Sequence, residues 1–425
     1  MERYSVYKDS GVKWLGDIPS HWEVCKVKHH YKMITGFTPS TGKSEYYSDN
    51  SDNTWVTIAD MKSKFISESS SHISDLYIKN FKPTIVPKGS LLYSFKLSVG
   101  QVAFADKDLY TNEAIASFEN NDDVCLDFLF YSASLCIIKN ANTNIYGAFI
   151  LNQELIKNAT IVYPPFEEQI AIANYLDSVT SKIDTAIFHQ QKMIDLLNER
   201  KQIIINNVVT KGLNPNVSMK DSGVDWIGEI PEHWEIKRGK FLFNIINEYS
   251  STGEEELLTV SDRTGITPRS MKNVTMFMAE SLVGYKKCKI GDICSNIMWM
   301  WHGAVGVTKY DGVISPSYGV YRQRELYYNG DYLDMLLRLP QLVKFYASRS
   351  TGLTESRLRL YPDDFMNIYF FVPPMEEQEM IVNRLKSICE PIESAIDAAT
   401  QQISLLQERK QIIINDVVTG KVKVS

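Results

Sequence analysis

The chain has 425 residues, of which 44% are apolar and 23% are charged. This composition is that of a soluble globular protein, and the length predicts two to four domains. The 45 basic and 51 acidic residues leave a formal net charge of −6. That balance argues against a polybasic coat for nucleic acid, but it leaves room for a DNA reader with local basic patches.

The sequence lacks the signals of membrane and secreted proteins. No apolar run approaches 18 residues, and the polar first ten residues contain no apolar signal core. The six cysteines form no Cys-x-x-Cys pair, which fits a reducing compartment. We therefore expect a cytoplasmic protein that does not contact a membrane.

The dominant feature is an internal repeat. Residues 8–24 and 220–236 are identical at 12 of 17 positions, and residues 164–211 and 373–420 at 26 of 48. A repeat of about 210 residues is too long for a solenoid unit, so it indicates duplication of a whole domain with its attached helix. The segments between the repeated blocks, 25–163 and 237–372, share little identity.

Short candidate strands and helices recur in both of these variable segments. The predicted strands are Trp55 to Ile58, Ser90 to Phe95, Val102 to Phe104, Ala114 to Ser117, Thr160 to Tyr163, Leu257 to Val260, Ile297 to Met300, Ala304 to Thr308, Gly319 to Tyr321 and Ile368 to Val372. Leu126 to Ile138 and Tyr332 to Tyr346 have the pattern of helices. The sequence therefore predicts an α+β protein with two mixed α/β domains.

Each repeated block after a variable segment has the periodicity of a long helix. Pro-Pro and Glu-Glu open both blocks, and apolar residues then recur at steps of three and four. We expect Pro391 to interrupt the second helix and the first to bend near Ser181. Each long helix would have about 28 residues and span roughly 42 Å.

The regular stripes predict that the two helices pack together. Related by a pseudo-two-fold axis, they would form an antiparallel coiled coil that holds the variable domains at the ends of a rod. The alternative is that each helix packs on its own domain. The predicted organisation is 1–163 with motif 8–24, helical region 164–212, then 213–372 with motif 220–236, and helical region 373–425.

Polar loops of the variable segments supply candidate DNA contacts. Hydroxyl, amide, Lys and Arg groups bind phosphates and base edges, although any loop contains them. The candidates are Thr38, Ser40, Lys43, Asp60, Lys62, Lys64, Lys96, Asn112, Tyr146, Tyr249, Ser261, Arg263, Trp301, His302, Ser317, Tyr318, Arg349 and Arg357.

Catalytic motifs are absent from the sequence. The string before Lys43-Ser44 lacks the first glycine of a P-loop, since Phe37 stands in its place. Tyr163-Pro164-Pro165-Phe166 lacks the amide or carboxylate that opens an amino-methyltransferase motif. The histidines do not cluster as metal ligands, and His21, His233, Trp14, Trp22, Trp226 and Trp234 are interpreted as a structural clasp. We expect a non-catalytic chain without metal or cofactor.

The sequence resembles the DNA specificity (S) subunit of type I restriction-modification systems. The resemblance covers essentially the whole chain. It rests on the paired segments Leu15 to Trp22 and Ile227 to Trp234, on the openings Pro164 to Gln169 and Pro373 to Gln378, and on the terminal Val418-Thr419-Gly420-Lys421-Val422. The family's Gly-Thr-Pro loop is matched by Gly36, Thr38 and Pro39 with Phe37 inserted, and the second domain has no clear counterpart.

The resemblance implies that each variable domain is a target-recognition domain for one half of a bipartite, asymmetric site in double-stranded DNA. The helices would fix the spacer and dock two copies of a methyltransferase subunit. S-adenosylmethionine for adenine-N6 methylation would bind those subunits. ATP and Mg would bind the restriction-translocase subunits that join the complex. Because residues 237–372 carry 17 basic and 14 acidic residues, and residues 25–163 carry 13 and 14, we expect the chain alone to bind DNA weakly.

Three other functions remain open from the sequence. The chain could be an enzyme with methyltransferase or nuclease chemistry of its own, against which the missing cofactor motifs argue. It could be a specificity-like DNA-binding adaptor of another phage-defence system. It could also be a protein-only coiled-coil scaffold, although two divergent loop-rich domains are hard to explain on that view.

Overall fold

The computed structural model describes residues 2–49, 51–96, 98–120, 124–145, 147–272, 279–354 and 357–424. The chain forms two compact units. Unit 1 combines Met1–Gln190 with Gln401–Ser425, and unit 2 comprises Gln191–Thr400. Each unit therefore contains one variable segment and a part of both long helices.

Unit 1 is built on a five-stranded sheet. The strands of unit 1, inside and outside this sheet, are β1 Tyr7–Asp9, β2 Asp17–Pro19, β3 Glu23–Lys26, β4 Met33–Thr35, β5 Trp55–Val56, β6 Phe65–Ile66, β7 Leu91–Ser94, β8 Val102–Ala105, β9 Tyr110–Thr111, β10 Ile115–Phe118, β11 Asn142–Thr143, β12 Phe149–Ile150 and β13 Thr160–Tyr163. The helices of unit 1 are α1 Val27–His30, α2 Asp75–Phe81, α3 Leu126–Cys136, α4 Gln153–Lys157, the first part of α5 Phe166–Lys211 and the last part of the second long helix, α10 Met375–Val418. The sheet has the order β4-β10-β7-β8-β6.

Unit 2 is built on a four-stranded sheet. The strands of unit 2, inside and outside this sheet, are β14 Met219–Asp221, β15 Glu229–Pro231, β16 Glu235–Arg238, β17 Phe243–Ile245, β18 Leu258–Ser261, β19 Gly265–Pro268, β20 Lys286–Cys288, β21 Ile293–Ser295, β22 Val305–Val307, β23 Gly312–Ile314, β24 Gly319–Gln323 and β25 Tyr369–Val372. The helices of unit 2 are the last part of α5, α6 Gly239–Leu242, α7 Gly330–Leu337, α8 Pro340–Arg349, α9 Pro362–Met366 and the first part of α10 Met375–Val418. The sheet has the order β17-β24-β21-β22.

The central strands form because their residues are apolar on both faces. All four residues of β7 and all four of β10 are buried, as expected for strands covered on both sides. They pair antiparallel with Leu91 opposite Phe118 and Tyr93 opposite Ala116. The predicted mixed α/β fold, with a long helix after each variable segment, is confirmed.

The repeated motifs form two clasps of the same geometry. In unit 1, His21 Nε2 and Trp22 Nε1 lie 2.9 and 3.1 Å from the same carboxylate oxygen of Glu168. In unit 2, His233 Nε2 and Trp234 Nε1 lie 2.8 and 2.9 Å from one oxygen of Glu377. Each glutamate stands in the first turn of a long helix, so the clasp fixes the start of that helix to the motif. The sequence interpretation of a structural clasp is confirmed for these histidine and tryptophan pairs.

The glutamine of each Pro-Pro-x-Glu-Glu-Gln opening also has a structural role. Gln169 is buried and donates from Nε2 to the Pro164 carbonyl at 2.8 Å, and Gln378 does the same to Pro373 at 2.8 Å. A carbonyl just outside a helix start would otherwise be buried without a donor. The glutamine therefore joins the first turn of each long helix to the Pro-Pro segment before it, while the glutamate joins the helix to the repeated motif.

The end of each long helix packs closely on a clasp. Gly420 follows α10 with φ 74°, and a Cβ at that position would lie 2.4 Å from Cδ of Pro19. Gly212 follows α5 with φ 74°, and a Cβ there would lie 2.5 Å from Oε1 of Glu377. Glycine is required at both helix ends because of this left-handed conformation and close approach.

The structure corrects the prediction that Pro391 divides the second helical block. Met375–Val418 is one helix with Pro391 inside it, and Phe166–Lys211 is likewise continuous through Ser181. An interior proline removes one amide donor and costs about 3 kcal/mol. Pro391 is exposed, while the buried residues Leu385, Ala399, Ile413 and Val417 lie on either side of it along the helix. Packing of this stripe offsets the lost hydrogen bond.

Two further element predictions in unit 2 are wrong for local reasons. Ile297 to Met300 is not a strand, because the Asn296 side chain accepts from the Met298 amide at 3.1 Å and turns the chain after β21. The single helix predicted over Tyr332 to Tyr346 is divided into α7 and α8. Leu339 adopts an extended conformation before Pro340, as residues preceding proline do.

Candidate nucleic-acid interface

The two variable segments share a sheet core in spite of their different sequences. In unit 1 the strands β4, β10, β7 and β8 lie side by side, and in unit 2 the strands β17, β24, β21 and β22 lie in the corresponding order. The loops that join these strands therefore occupy corresponding places in the two topologies. Three loops form the candidate interface in each unit. The first follows β4 or β17, the second joins β7 to β8 or β21 to β22, and the third precedes β10 or β24.

In unit 1 these three loops meet around Glu113. The Thr38 hydroxyl, from the loop after β4, donates to Glu113 Oε2. Lys96 Nζ, from the β7–β8 loop, lies 3.8 Å from Glu113 Oε1. Glu113 itself stands in the loop before β10, and the side chains of Lys96 and Glu113 are each half exposed. The structure thus brings together two of the predicted residues, Thr38 and Lys96, next to the predicted Asn112.

Gly36 allows the loop after β4 to approach the loop before β10. A Cβ on Gly36 would lie 1.9 Å from the Thr111 carbonyl oxygen, so no other residue fits without moving the backbone. The next amide, that of Phe37, donates to the same Thr111 oxygen at 2.9 Å. Trp55 Nε1 donates to the Phe37 carbonyl at 3.0 Å and fixes the loop from the other side.

Aromatic rings anchor the loop after β4. The Phe37 ring stacks on Tyr77 with centroids 5.3 Å apart, and Tyr77 stacks on Phe81 at 4.5 Å. Tyr46 packs edge-on against Tyr77 at 5.1 Å, and Lys43 donates to the Tyr46 hydroxyl at 3.0 Å. The predicted residues Ser40 and Lys43 are exposed on this loop.

In unit 2 the corresponding loops meet around Tyr318. Asn296, which begins the β21–β22 loop, donates from Nδ2 to the Tyr318 hydroxyl at 2.8 Å. Lys286 Nζ donates to the Tyr318 carbonyl at 2.8 Å, and Lys286 forms an isolated antiparallel bridge with Tyr249, in the loop after β17. Burial lowers the pKa of Lys286 and raises the pKa of Tyr318. The predicted residues Tyr249 and Tyr318 are thus connected through Lys286, and Ser317 is exposed beside them.

A second cluster in unit 2 joins the β18–β19 turn to the β21–β22 loop. His302 Nδ1 lies 3.0 Å from Asp262 Oδ2. Arg338, after α7, donates to the carbonyls of Asp262 at 2.6 Å and Arg263 at 3.0 Å. Burial alone would raise the pKa of Asp262, but the Arg263 amide, the Ser261 hydroxyl and the His302 charge lower it. The predicted residues Ser261, Arg263 and His302 are therefore neighbours.

Two tryptophans stand in the same β21–β22 loop. Trp301 donates from Nε1 to the Met298 carbonyl at 2.9 Å, which fixes its ring. Trp299 stacks on Trp301 with centroids 5.9 Å apart and an interplanar angle of 17°. Trp299 is 53% exposed, although an aromatic ring of this size is seldom so exposed in a globular protein.

Several predicted residues have structural partners instead of a free surface. Lys64 Nζ is bound 2.5 Å from Asp177 of α5 and lies over the Phe130 ring at 4.9 Å. Asp60 accepts from the amide and hydroxyl of Thr57, each at 2.8 Å, and so caps the short helix Ile58–Asp60. Asn112 Oδ1 accepts from the Ala114 amide at 3.1 Å. These contacts favour a structural role for the three side chains.

The remaining predicted residues lie apart from these clusters. Lys62 is exposed next to the Asp60 cap, and Arg357 is exposed after residues 355–356. Arg349 ends α8, with its guanidinium over the Phe345 ring at 5.0 Å. It lines a surface depression of about 510 Å³ together with Arg238. Tyr146 lies outside the described residues.

The residues of the converging loops that the sequence reasoning missed include Glu113 and Trp299. Trp299 had a usable signal, because a Trp-Met-Trp-His string in a polar loop is unusual. Glu113 had none, since its partners Thr38 and Lys96 are 75 and 17 residues away along the chain.

Over the described ranges, no group of three or more His, Cys, Asp or Glu side chains is arranged to hold a metal ion. Of the helices among those residues, none is both long and apolar enough to span a bilayer.

Comparison with known proteins gives one consistent family. Residues 19–193 match the family model of the type I restriction modification DNA specificity domain. The MjaIX type I restriction enzyme specificity subunit of Methanocaldococcus jannaschii is 24% identical over 96% of this chain and 95% of its own length. The MjaVIII specificity subunit of the same organism is 25% identical over 98% and 97%.

A solved structure shares the fold. It comes from a study of complex assembly and conformational transition of the type I R-M system, and it aligns with a TM-score of 0.69 at 16% identity. The alignment covers 95% of this chain and 99% of that one. With a family model matched over residues 19–193 and specificity subunits similar along nearly their whole length, the chain is similar to the specificity subunits of type I restriction-modification systems.

Proposed function

We propose that this chain reads a bipartite, asymmetric site in double-stranded DNA, with residues 25–163 reading one half and residues 237–372 the other. The observation that carries the proposal is the convergence of corresponding loops on one shared strand order, with unlike residues on them. A common core with divergent loops is what two readers of different short sequences require.

The long helices fix the separation of the two readers in this proposal. Two contacts support an antiparallel arrangement in unit 1: Lys410 Nζ lies 2.7 Å from Asp184, and Gln190 Nε2 donates to Gln402 at 3.2 Å. In unit 2, Lys201 pairs with Glu393, and Gly212 lies against Glu377. In each unit, residue numbers rise along one helix as they fall along the other. Such a pair acts as a ruler for the non-specific spacer.

The helices also dock two copies of a methyltransferase subunit. Leu196 and Ile203 of α5, and Leu405 and Ile412 of α10, are each more than half exposed. The two pairs occupy equivalent positions of the repeat, seven residues apart, so each unit presents a similar apolar stripe. Exposed apolar side chains at heptad spacing indicate a site for a partner helix, and the repeat indicates two such partners.

The chemistry belongs to the partners in this proposal. S-adenosylmethionine for adenine-N6 methylation binds the methyltransferase subunits, and ATP and Mg bind restriction-translocase subunits that join through them. The organisation follows the repeat: recognition domains 1–163 and 213–372, and helical regions 164–212 and 373–425. The net charge of −6 and the basic excess confined to residues 237–372 suit a subunit whose partners supply much of the attraction for DNA.

Exchange of one reading segment tests the two-reader proposal. Residues 25–163 are replaced by the matching segment of a relative with a different site, and the complex is expressed in a host without other adenine methylation. Methylome sequencing should then give a new first half-site with the second half-site and spacer unchanged. A change in both half-sites would contradict the proposal, and the reciprocal exchange of residues 237–372 is the matched control.

Insertion in the helices tests the ruler. Seven residues, two helical turns, are added after Leu197 and also after Asp397, so that both helices lengthen together. At 1.5 Å per residue this adds about 10 Å, or roughly three base pairs. The spacer of the methylated motif should lengthen by that amount with both half-sites retained. An unchanged spacer with active methylation would reject the ruler.

A further inference from the structure

Glu113 has one carboxylate oxygen that its described neighbours leave without a hydrogen bond. It stands where three loops of unit 1 meet, and half of its side chain is exposed. Its contacts are the Thr38 hydroxyl on Oε2 and Lys96 at 3.8 Å from Oε1. That second distance is too long for a hydrogen bond. Among the described residues, no donor is hydrogen-bonded to Oε1.

The backbone around Glu113 presents this side chain outward. Asn112 Oδ1 accepts from the Ala114 amide at 3.1 Å, and the Asn112 carbonyl accepts from the Ile115 amide at 3.2 Å. The Asn112 amide in turn donates to the Val56 carbonyl at 3.0 Å. These bonds close a turn of the kind that an Asn side chain stabilises, with Glu113 at its exposed tip and the buried Ala114 behind it.

The negative charge of Glu113 limits which DNA groups this side chain can contact. A carboxylate that approaches a DNA duplex is repelled by the phosphates and loses its hydration, so it must gain a hydrogen bond to be tolerated. In the major groove the donors that a carboxylate can use are exocyclic amines, namely cytosine N4 and adenine N6. Guanine O6 and thymine O4 are acceptors there and would leave the carboxylate unpaired.

We propose that Glu113 is a specificity-determining residue, whose Oε1 accepts a hydrogen bond from the exocyclic amine of one base in the first half-site. Thr38 holds the other carboxylate oxygen, and Lys96 lies where it balances the charge of Glu113 against the phosphates. This inference rests on the proposed function of residues 25–163 as a DNA reader and names the chemical group that this reader recognises.

The test removes the charge of the Glu113 side chain and keeps its shape. The full chain carrying Glu113→Gln is expressed with its methyltransferase subunit, and the methylated motif is read by methylome sequencing. One position of the first half-site should lose between about 5-fold and 150-fold of its discrimination between bases, because an amide can also donate to an acceptor base. The second half-site and the spacer should stay the same.

Glu119→Gln is the matched control. Glu119 follows the same strand, β10, at its other end, and pairs with Lys32 at 2.7 Å, so the substitution removes a similar lysine partner away from the converging loops. It should leave the whole motif unchanged. Undiminished discrimination at every position of the first half-site in the Glu113→Gln complex would overturn the proposal.

Loss of methylation by Glu113→Gln is resolved by two further measurements. Retention of the original motif by Glu113→Asp would support the proposal, because the carboxylate is kept. If Glu113→Asp is also inactive, both complexes are used to select duplexes from a randomised library. Selection of sites relaxed at one position of the first half-site supports the proposal, and selection of the original site or of no site rejects it. Absence of a bipartite motif in the unsubstituted complex would instead reject the proposed function.

Discussion

The two variable segments are stabilised around their sheets by different physical means. In unit 1, aromatic stacking of Phe37 on Tyr77 and the hydrogen bond from Trp55 secure the loop after β4. In unit 2, Asp292 is 1% exposed and accepts two hydrogen bonds from Arg322, at 2.7 Å each. The strand order is common to both, whereas the anchoring interactions are not.

On the proposed function, this difference indicates which part of the structure a chain with another specificity would keep. The sheet and the clasp are shared, so any sequence that supplies buried strands and the clasp residues can carry a different set of loops. A loop held by apolar packing tolerates substitution by other apolar residues of similar volume. The start of β21, which Asp292 joins to Arg322 of β24, does not tolerate loss of either partner, because removal of one leaves an unpaired charge.

The largest effect is expected from the buried ion pair of unit 2. Arg322→Ala leaves the Asp292 carboxylate buried without its cation and should lower the free energy of unfolding of this unit by about 3 kcal/mol. Hydrogen exchange read by mass spectrometry should show the loss over residues 286–323. Lys32→Ala, which removes the partner of Glu119 on the surface of unit 1, should cost less than about 1 kcal/mol. Similar losses for both variants would remove the distinction drawn between the units.

The two clasps should respond alike, since their geometry is the same. Trp22→Phe and Trp234→Phe each delete a hydrogen bond to a carboxylate, at 3.1 and 2.9 Å. Each should lower the stability of its own unit by about 2 kcal/mol. Denaturant unfolding combined with hydrogen exchange separates the units. A large loss for one variant and none for the other would show that the repeated motifs do not share one structural role.

Substitutions of DNA-contact candidates in one unit should affect only the half-site that this unit reads, and by a smaller free energy than the substitutions above. Arg263→Ala or Arg357→Ala removes an exposed cation of the second variable segment and should weaken or relax only the second half-site, by about tenfold. Binding of the assembled complex to duplexes mutated in one half-site at a time is the measurement. Equal weakening at both half-sites would count against independent reading by the two segments.

The smallest expected effect is a dependence of unit 2 on pH. Lys309 and Lys386, each 2.8 Å from Asp331, lower the pKa of that carboxyl. Asp331 therefore contributes stability above its unfolded pKa of about 4, and the contribution is lost as pH falls through the lower folded value. Denaturant midpoints between pH 6 and pH 3 should fall less for Asp331→Asn than for the unsubstituted chain. Identical pH profiles would show that the pairs do not stabilise the fold.

Elements and repeated motifs could be predicted from the sequence because their causes are local. Two prolines before two glutamates define a helix start, and apolar runs such as Leu91–Ser94 define buried strands. The clasp was recognisable because it occurs twice in the sequence.

Loop contacts could not be predicted, because their partners are distant along the chain. Lys64 looks like a phosphate ligand until Asp177, 113 residues later, is found beside it. Glu113 looks like an ordinary surface residue until Thr38 and Lys96 are placed around it. Charge and hydrogen-bonding capacity are visible in a sequence, but whether a partner already uses them is a property of the fold.

The division of the chain into units has a consequence for the order in which it folds. Unit 2 is one continuous stretch, Gln191–Thr400, so all of its contacts can form before synthesis of the chain ends. Unit 1 joins residues up to Gln190 to the final stretch from Gln401, and its core includes Leu176, Ile413 and Val417. Unit 1 can therefore be completed only after all of unit 2 has been synthesised. Until then the apolar stripe of α5 in unit 1 lacks the part of its core that residues from Gln401 onward supply.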